Sequence, residues 1–567
     1  KGISIAGYEV VRILGKGSFG VVRLVREREM PPSKAPRLDS ESDIERLDGE
    51  KGEPERGRPR LSDPGQQVFA MKVIRKSEML RNCQEGHLRA ERDFLVASEN
   101  SRWVVPLIAS FQDHTNLYLV MDYMVGGDFL GFLMRQDVLD EWVAQWYIAE
   151  MILCVEEAHK MNWIHRDVKP DNFLITASGH LKISDFGLAF DGHWAHNQSY
   201  FSEKRYSLLQ KFGIKVQGDE HDEEEERIKL EKQKATGVNS SLNYFASNAE
   251  AKVENPLSWM NRNQQRRLAK SVVGTSQYMA PEVIKGEEYD GRCDWWSIGI
   301  ILYECLYGQT PFYSQERKDT KAKIVTHSLH LHFPAEQRWG GEGNDRIPLP
   351  QVSYTAMSLI KSLLVDKEDR LSAPEYRQND SAMGGSGGDN SSSDARTRSF
   401  VYADDARDIK SHPFFHGIRW AQLHQLRPPF VPRIRRGQDL TKYFDDEHQI
   451  LGSSADVDVD DANSSRSSAA EAAAKVDNTA AAAAAAGNND CVGLMSGVEY
   501  QAGPLNAVLS KSLGKRKVKE KKRPRDKLLR DPYLKAQVLE ARKKGAFIGY
   551  TYRRPKEVMR TAVMGVA

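Results

Sequence analysis

One short stretch limits what this chain can be more than any other: His165-Arg166-Asp167-Val168-Lys169-Pro170-Asp171-Asn172, followed shortly by Asp185-Phe186-Gly187. Two of the carboxylates here, Asp167 and Asp185, and the Asn172 amide lie close together in sequence, beside the apolar strand-like segments Phe173-Leu174-Ile175 and Leu181 to Ile183. Phosphoryl transfer needs such a set: a carboxylate to orient a hydroxyl, and oxygen ligands for Mg²⁺ beside the phosphates. Upstream, Gly15-Lys16-Gly17-Ser18-Phe19-Gly20-Val21-Val22 reads as a loop between two strands. Glycines there let backbone N–H groups approach phosphate oxygens with no side chain in the way. Gly-rich hairpins are common, so the loop alone is a weak signal. A dinucleotide fold would need a helix after the last glycine, where Val21 to Val25 reads as strand. Lys72 ends the apolar run Val68-Phe69-Ala70-Met71-Lys72. It is either a lysine snorkelling from a strand end or an ammonium for nucleotide phosphates. Glu91, three residues after Leu88 and three before Phe94, lies on an inward helical stripe and is the carboxylate that would hold it. Chance does not readily assemble all of these in this order.

Length and composition bound the rest. The 567 residues exceed one ordinary domain, and 40% hydrophobic against 28% charged residues is polar for a single compact globule. Linkers or tails are therefore expected. Low-complexity stretches mark them at residues 30–66, in the acidic run Asp219 to Glu226, at 378–399 and at 452–490. Each lacks the apolar content to offset its ordering entropy, and all four read as disordered or solvated. The balance of 81 Lys+Arg against 79 Asp+Glu gives no overall charge for nucleic acid or an anionic membrane. Five well-separated cysteines without a CxxC pair argue against a disulfide framework or a cysteine zinc site, and fit a reducing compartment. His193 and His196, beside Trp194, lack a third metal ligand nearby. No apolar run nears the ~20 residues of a membrane helix. There is no signal-peptide pattern and no initiator Met, so Lys1 reads as a cut edge.

Between the linkers, Tyr8 to Val25 reads as a strand hairpin, Val68 to Ile74 and Leu117 to Met121 as short strands, and Met79 to Val96 as one helix. The spacing of Trp142, Trp146, Ala149 and Leu153 suits a half-buried helix, and the chain after Pro281 is mostly helical, including Asp294 to Tyr307. A strand-rich part of roughly 120 residues before a helical part predicts two lobes, α+β overall.

Together these motifs resemble the eukaryotic protein kinases over about Tyr8 to Phe415. The resemblance implies a bilobal fold: an N-lobe (1–124) with a small antiparallel β-sheet and one main helix, and a mostly helical C-lobe (125–415) carrying a long activation-segment insertion (188–270). A C-terminal tail (416–567) follows. It implies that Gly15, Lys16, Gly17, Ser18, Phe19, Gly20 and Val22 cover the ATP phosphates. Ala70, Met121, Asp122, Met124 and Asp128 would border the nucleotide, and Lys72, paired with Glu91, would hold the α/β-phosphates. Asp167 would orient the substrate hydroxyl and accept its proton. Lys169 would neutralise the γ-phosphoryl group, as in serine/threonine kinases, and Asn172 and Asp185 would bind Mg²⁺. Glu282 of Ala280-Pro281-Glu282 would pair with Arg370, and Asp294 would brace the catalytic loop from below. The presence of Lys72, Asp167, Asn172 and Asp185 argues against a pseudokinase scaffold; Ala280-Pro281-Glu282 and the Asp294 helix argue against a small-molecule phosphotransferase.

Phe547-Ile548-Gly549-Tyr550-Thr551-Tyr552 resembles the hydrophobic motif of AGC kinases, and Pro428-Pro429-Phe430 their wrapping tail. The long span from Gly187 to Ala280 ends in Arg262, Arg266, Arg267 and Lys270, just before Ser271-Val272-Val273-Gly274-Thr275. This resembles the NDR/LATS subfamily, with a Greatwall-like kinase as the alternative. The resemblance implies an autoinhibitory insertion and activating phosphosites at Ser271 and Thr551. It further implies an upstream kinase, a Mob-type coactivator and protein substrates, in morphogenesis or cell-cycle signalling. The location would be cytoplasmic, and also nuclear if the basic run Lys511 to Arg530 is a localisation signal instead of a solvated linker. Asp128, Asp171 and Glu304, with Thr275, match substrate-binding positions, and three carboxylates there would favour Arg/Lys-rich peptides. Three features depart from the subfamily. Ser276-Gln277 replaces Pro-Asp, and residues 30–66 replace a tight hairpin. The acidic run at Asp219 is unusual for such an insertion, and its expected partner is the basic stretch at Arg262 to Lys270. The Mob-binding extension of the family would precede Lys1.

Overall fold

The computed structural model describes residues 3–17, 20–28, 67–190, 216–235, 275–341, 347–381, 399–434, 438–447, 450 and 523–555. An antiparallel sheet carries the first part: β1 (Tyr8–Gly17), β2 (Gly20–Glu27), β3 (Val68–Arg75), β4 (Leu107–Gln112) and β5 (Asn116–Asp122), in the order β1-β2-β3-β5-β4. The period-2 alternation of β3 decides what faces where. Phe69 and Met71 point into a small core with Val25, Ile108, Phe111, Tyr118 and Val120, so Ala70 and Lys72 point the other way, into a cleft. Strand β4 went unread in the sequence because Leu107 to Phe111 is buried along its whole length and shows no alternation.

The helix expected from Met79 to Val96 is two helices, α1 (Lys76–Arg81) and α2 (Glu85–Ala97). Cys83 between them adopts φ +52°, a left-handed conformation that no helix interior tolerates. The Asn82 amide stabilises the break by donating to the Glu78 carbonyl at 3.0 Å. Helix α3 (Phe129–Gln136) is N-capped by Asp128, which accepts from the Gly131 N–H at 2.7 Å. Helix α4 (Glu141–Lys160) is buried on nearly every side, and Trp142 marks its exposed edge. The hairpin β6 (Phe173–Ile175) and β7 (Leu181–Ile183) follows.

In the second part, α6 (Pro281–Lys285) and α7 (Arg292–Tyr307) each end on a left-handed glycine, Gly286 or Gly308, and α7 is buried along nearly its whole length. Trp295 and Trp296 of α7 are fully buried, and α8 (Tyr354–Leu363) packs beside them. Buried charge is paired. Arg370 donates to both Glu282 oxygens, at 2.6 and 3.0 Å, as the sequence led us to expect. His159 lies between Asp405 Oδ2 at 2.7 Å and Asp294 Oδ2 at 3.0 Å. Burial works against its charge, but the two carboxylates outweigh burial and raise its pKa to about 10.

Because the folded pKa lies above the ordinary histidine value, this ion triad contributes fully below pH ~6.5 and is lost as pH rises through about 10. His159→Gln is therefore expected to cost about 3–5 kcal/mol near pH 6, the range for breaking a buried pair. That difference should shrink between pH 7 and 10 in denaturant titrations.

The insertion contributes a helix where the sequence suggested disorder. The acidic run opens α5 (Glu220–Ala235), and its charges are met by Arg523, Lys527 and Arg530 of the tail. The end of the basic run is likewise no solvated linker, since Asp526, Leu528 and Leu529 are buried. The basic stretch Arg262 to Lys270 lies outside the described residues, as do His193 and His196, residues 30–66, 382–398 and 452–490. After 399–434 the tail runs against the hairpin: Gly179 adopts φ +90°, and a Cβ there would stand 2.1 Å from the Phe430 carbonyl oxygen. The tail then supplies helix α9 (Lys535–Gly545) and a sixth strand, β8 (Tyr552–Arg553), paired antiparallel with β4. Among the described residues no helix is long and apolar enough to cross a membrane.

Candidate active site

The cleft below the sheet gathers residues from distant points of the chain. From β3, Lys72 Nζ reaches Glu91 Oε1 of α2 at 2.8 Å and Asp185 Oδ1 at 2.9 Å. Burial works against the Lys72 charge, but Asp185 and Glu91 outweigh it and raise its pKa. The Lys72 ammonium in turn holds the Asp185 carboxyl down at about 2. Asp185 sits at φ +59° and Arg166 at φ +64°, both in the left-handed region, where side chains are kept only by their surroundings. Those surroundings are visible. Phe186 stacks on Phe94 of α2 at 3.7 Å between ring centres and meets the His165 ring edge-on.

The loop holding Asp167 is fixed from beneath. Asp294 of α7 accepts the backbone N–H of His165 at 2.8 Å and of Arg166 at 2.9 Å, the bracing that the sequence suggested. Asn172 Nδ2 donates to the Asp167 carbonyl at 2.7 Å. The Asp167 carboxylate accepts from both the backbone N–H and the hydroxyl of Thr275, each at 2.9 Å. Lys169 Nζ lies 2.9 Å from its other oxygen and donates to the Thr275 hydroxyl at 3.0 Å. A carboxylate, an ammonium and a hydroxyl are thus locked together at the cleft mouth.

Leu14, Gly15, Val22, Ala70, Met121, Asp122 and Met124 line the inner wall with Leu174. Among the described residues a Cβ at Gly15 would meet nothing within 4 Å and one at Gly17 only the Gly20 oxygen, so no described side chain fills the space beside these two glycines. At Gly20 a Cβ would stand 2.1 Å from the Val73 carbonyl oxygen, so the start of β2 cannot pair this closely with β3 without glycine. Lys16 is described; Ser18 and Phe19 are not. Asp185 and Asn172 share this cleft and offer oxygen donors of the hard kind that a divalent cation takes.

The four residues expected to meet substrate behave differently from one another. Thr275 is held on Asp167. Asp128 and Asp171 line the cleft, but Asp128 spends a carboxylate oxygen on capping α3. Glu304 accepts the Tyr278 hydroxyl at 2.8 Å, and burial, with the Asp171 charge, pushes its carboxyl up to about 7. Ser271 lies outside the described residues. Thr551 is exposed, between the buried Tyr550 and strand β8.

Sequence reasoning missed the tail's share of the site. Phe444 lines the cleft and stacks on Tyr123 at 5.5 Å between ring centres, and the Tyr123 hydroxyl donates to the Leu440 carbonyl at 2.8 Å. Arg12 of β1 donates to Asp439 at 3.1 Å and to the Asp445 carbonyl at 2.8 Å, tying the tail to the glycine hairpin. The aromatic–acid run Tyr443-Phe444-Asp445-Asp446 downstream of Phe430 was the available signal.

Known proteins match this chain in sequence. Residues 60–207 and 258–380 match the protein kinase domain. The serine/threonine-protein kinase cbk1 of Emericella nidulans is 49% identical over 547 residues, covering 95% of this chain and 57% of that protein. The serine/threonine-protein kinase CBK1 of Pneumocystis carinii is 32% identical over 444 residues, covering 78% of this chain and 67% of that protein. This chain belongs to the protein kinase family. Within the family it is of the NDR/LATS-type AGC kind, as the relatives are; cot-1 of Neurospora crassa is a third, 32% identical over 78% of this chain and 56% of that protein. The chain spans roughly half to two thirds of the length of these kinases. The kinase match skips residues 208–257, so α5 belongs to an insertion that the domain does not share. Family membership implies use of ATP and a divalent cation.

Proposed function

We propose that this kinase domain transfers the γ-phosphate of ATP to Ser/Thr hydroxyls of protein substrates, with Mg²⁺ as the cation and with basic residues favoured before the acceptor. The observation that carries the proposal is one cleft in which Lys72, Glu91, Asn172 and Asp185 surround open space beside a locked Asp167. In this reading Lys72 neutralises nucleotide phosphate charge, and Glu91 keeps it aimed. Asn172 and Asp185 would hold Mg²⁺, which would offset the negative charge that builds up in transfer. Asp167 orients the substrate hydroxyl and takes its proton, and Lys169 stands beside the transferred group. Thr275 occupies the Asp167 carboxylate until a substrate hydroxyl replaces its contact.

Selectivity for basic peptides rests on Asp128, Asp171 and Glu304. The Glu304 carboxyl takes a proton as pH falls through about 7, and the cleft then loses a negative charge. KM for an Arg-rich peptide is expected to rise below pH 7 by roughly fivefold, the size of a charge contact of about 1 kcal/mol. Glu304→Gln should show the low-pH KM throughout. A KM profile equally steep in that variant would remove Glu304 from recognition.

The same proposal includes phosphorylation of Ser271 and Thr551 by this or an upstream kinase, and a Mob-type coactivator in morphogenesis signalling. A reducing, cytoplasmic or nuclear setting suits the described cysteines Cys83, Cys154, Cys293 and Cys305, which no disulfide joins. The test is transfer of labelled phosphate from ATP to an Arg-rich serine peptide, compared with Asp185→Ala. Equal transfer by both proteins would defeat the proposal.

A further inference from the structure

Asp219 to Glu226 places seven carboxylates in eight positions, a run that repels itself. Two local features let it open a helix. Asp219 and Asp222 cap each other, each backbone N–H donating to the other's carboxylate at 3.1 Å. The acids also stand at the N-terminal, positive end of the helix dipole. The decisive feature is distant in sequence. Arg523 Nε donates to Asp219 Oδ2 at 2.6 Å, Arg530 donates to both Asp222 oxygens at 2.8 and 2.6 Å, and Lys527 pairs with Glu226. Gln217 adds a backbone N–H to Asp531 Oδ2 at 3.0 Å. Asp222 and Arg530 are only 7% and 14% exposed, so this central pair is shielded from the screening that weakens surface pairs.

The tail segment so held is also attached to the lobe that carries Glu91. Arg525 N–H donates to the Arg81 carbonyl of α1 at 3.0 Å. Asp526 accepts from Arg542 of α9 at 2.8 Å, and Arg542 also pairs with Glu85 in the first turn of α2. Helix α9 leads directly into Phe547. One end of this unit is thus gripped by the insertion, and the other seats the hydrophobic motif against α2. All of this coexists with an intact Lys72–Glu91 pair.

We infer that α5 of the activation-segment insertion is an intramolecular acidic partner for the basic tail segment 523–531, and that it keeps the hydrophobic motif seated and so supports activity instead of blocking it. The activity half of this inference rests on the kinase function proposed above; the binding half does not. The test uses the full chain with Asp219→Asn plus Asp222→Asn, which keeps the capping oxygens, and separately with Arg523→Glu plus Arg530→Glu. Hydrogen exchange of residues 535–554 should rise about tenfold in either pair, and peptide phosphorylation should fall several-fold. The four changes together should be no worse than either pair, as a double-mutant cycle requires of partners. Glu224→Lys, on the opposite face and paired with Arg227, should change neither. Unchanged protection of α7 guards against general unfolding. Unchanged exchange at 535–554, or effects of the two pairs that simply add, would overturn the clamp. Rising phosphorylation with rising exchange would overturn its sign. A wild-type chain that transfers no phosphate would sink the kinase reading while the exchange still decides the clamp.

Discussion

Asp185→Ala is expected to lower phosphate transfer at least about a thousandfold, the scale for removing a charge-stabilising group from a preorganised site. Asp185 reaches the Lys72 ammonium at 2.9 Å and is far more exposed to the cleft than Glu91, the other Lys72 partner, and Lys72 keeps it ionised down to about pH 2. Neither neighbouring carboxylate is placed to take over, because Glu91 is buried behind Lys72 and Asp167 is committed to Thr275 and Lys169. The fold should persist. Lys72 keeps Glu91 as its partner, and Phe186 stays packed on Phe94 and His165. An unchanged melting temperature with transfer lost is the expected pair of results. Transfer reduced less than tenfold would mean that another group holds the cation.

Phe547→Ala combined with Tyr550→Ala is expected to release the tail and lower activity by about ten- to a hundredfold. Phe547 and Tyr550 are 0% and 1% exposed, and truncating a buried aromatic costs about 3–5 kcal/mol. That exceeds what the remaining polar contacts supply, since each net hydrogen bond contributes only about 1 kcal/mol. Those contacts depend on the seated aromatics: Arg89 donates to the Ala546 carbonyl at 3.0 Å, Arg92 to that of Gly549 at 3.2 Å, and Ser110 to that of Tyr550 at 2.7 Å. Arg89 and Arg92 flank Glu91 on α2, so their release loosens the helix that aims Lys72. The shift acts as a population change, with kcat falling and hydrogen exchange of α2 rising together. Lost activity with α2 exchange unchanged would show that the motif acts by some route other than α2.

Much of the site was legible because catalytic chemistry is written in short local strings. The sequence from His165 to Asn172, Asp185-Phe186-Gly187 and the glycine loop need particular residue types at particular spacings, and any fold that uses them keeps them adjacent in the chain. Glu91 was legible as an inward-facing carboxylate through helical periodicity, but its pairing with Lys72 followed from the family resemblance and not from spacing. Cys83 broke the expected helix because a left-handed residue leaves no trace in a pattern of apolar spacings. The acidic run was misread for a related reason. Taken by itself it lacks the apolar surface to order, and its order comes from cations some 300 residues away.

By itself, then, the sequence offered the candidate catalytic residues, the two-lobe α+β architecture and the aromatic motif at Phe547 to Tyr552, since each depends on residues within one turn, one strand or one loop. Tertiary structure alone decided that Phe444 and Arg12 tie the tail to the cleft, that β8 extends the sheet and that α5 grips the segment before the motif. Ion pairs and packed rings are selected by distance in space, and chain separation carries no record of it.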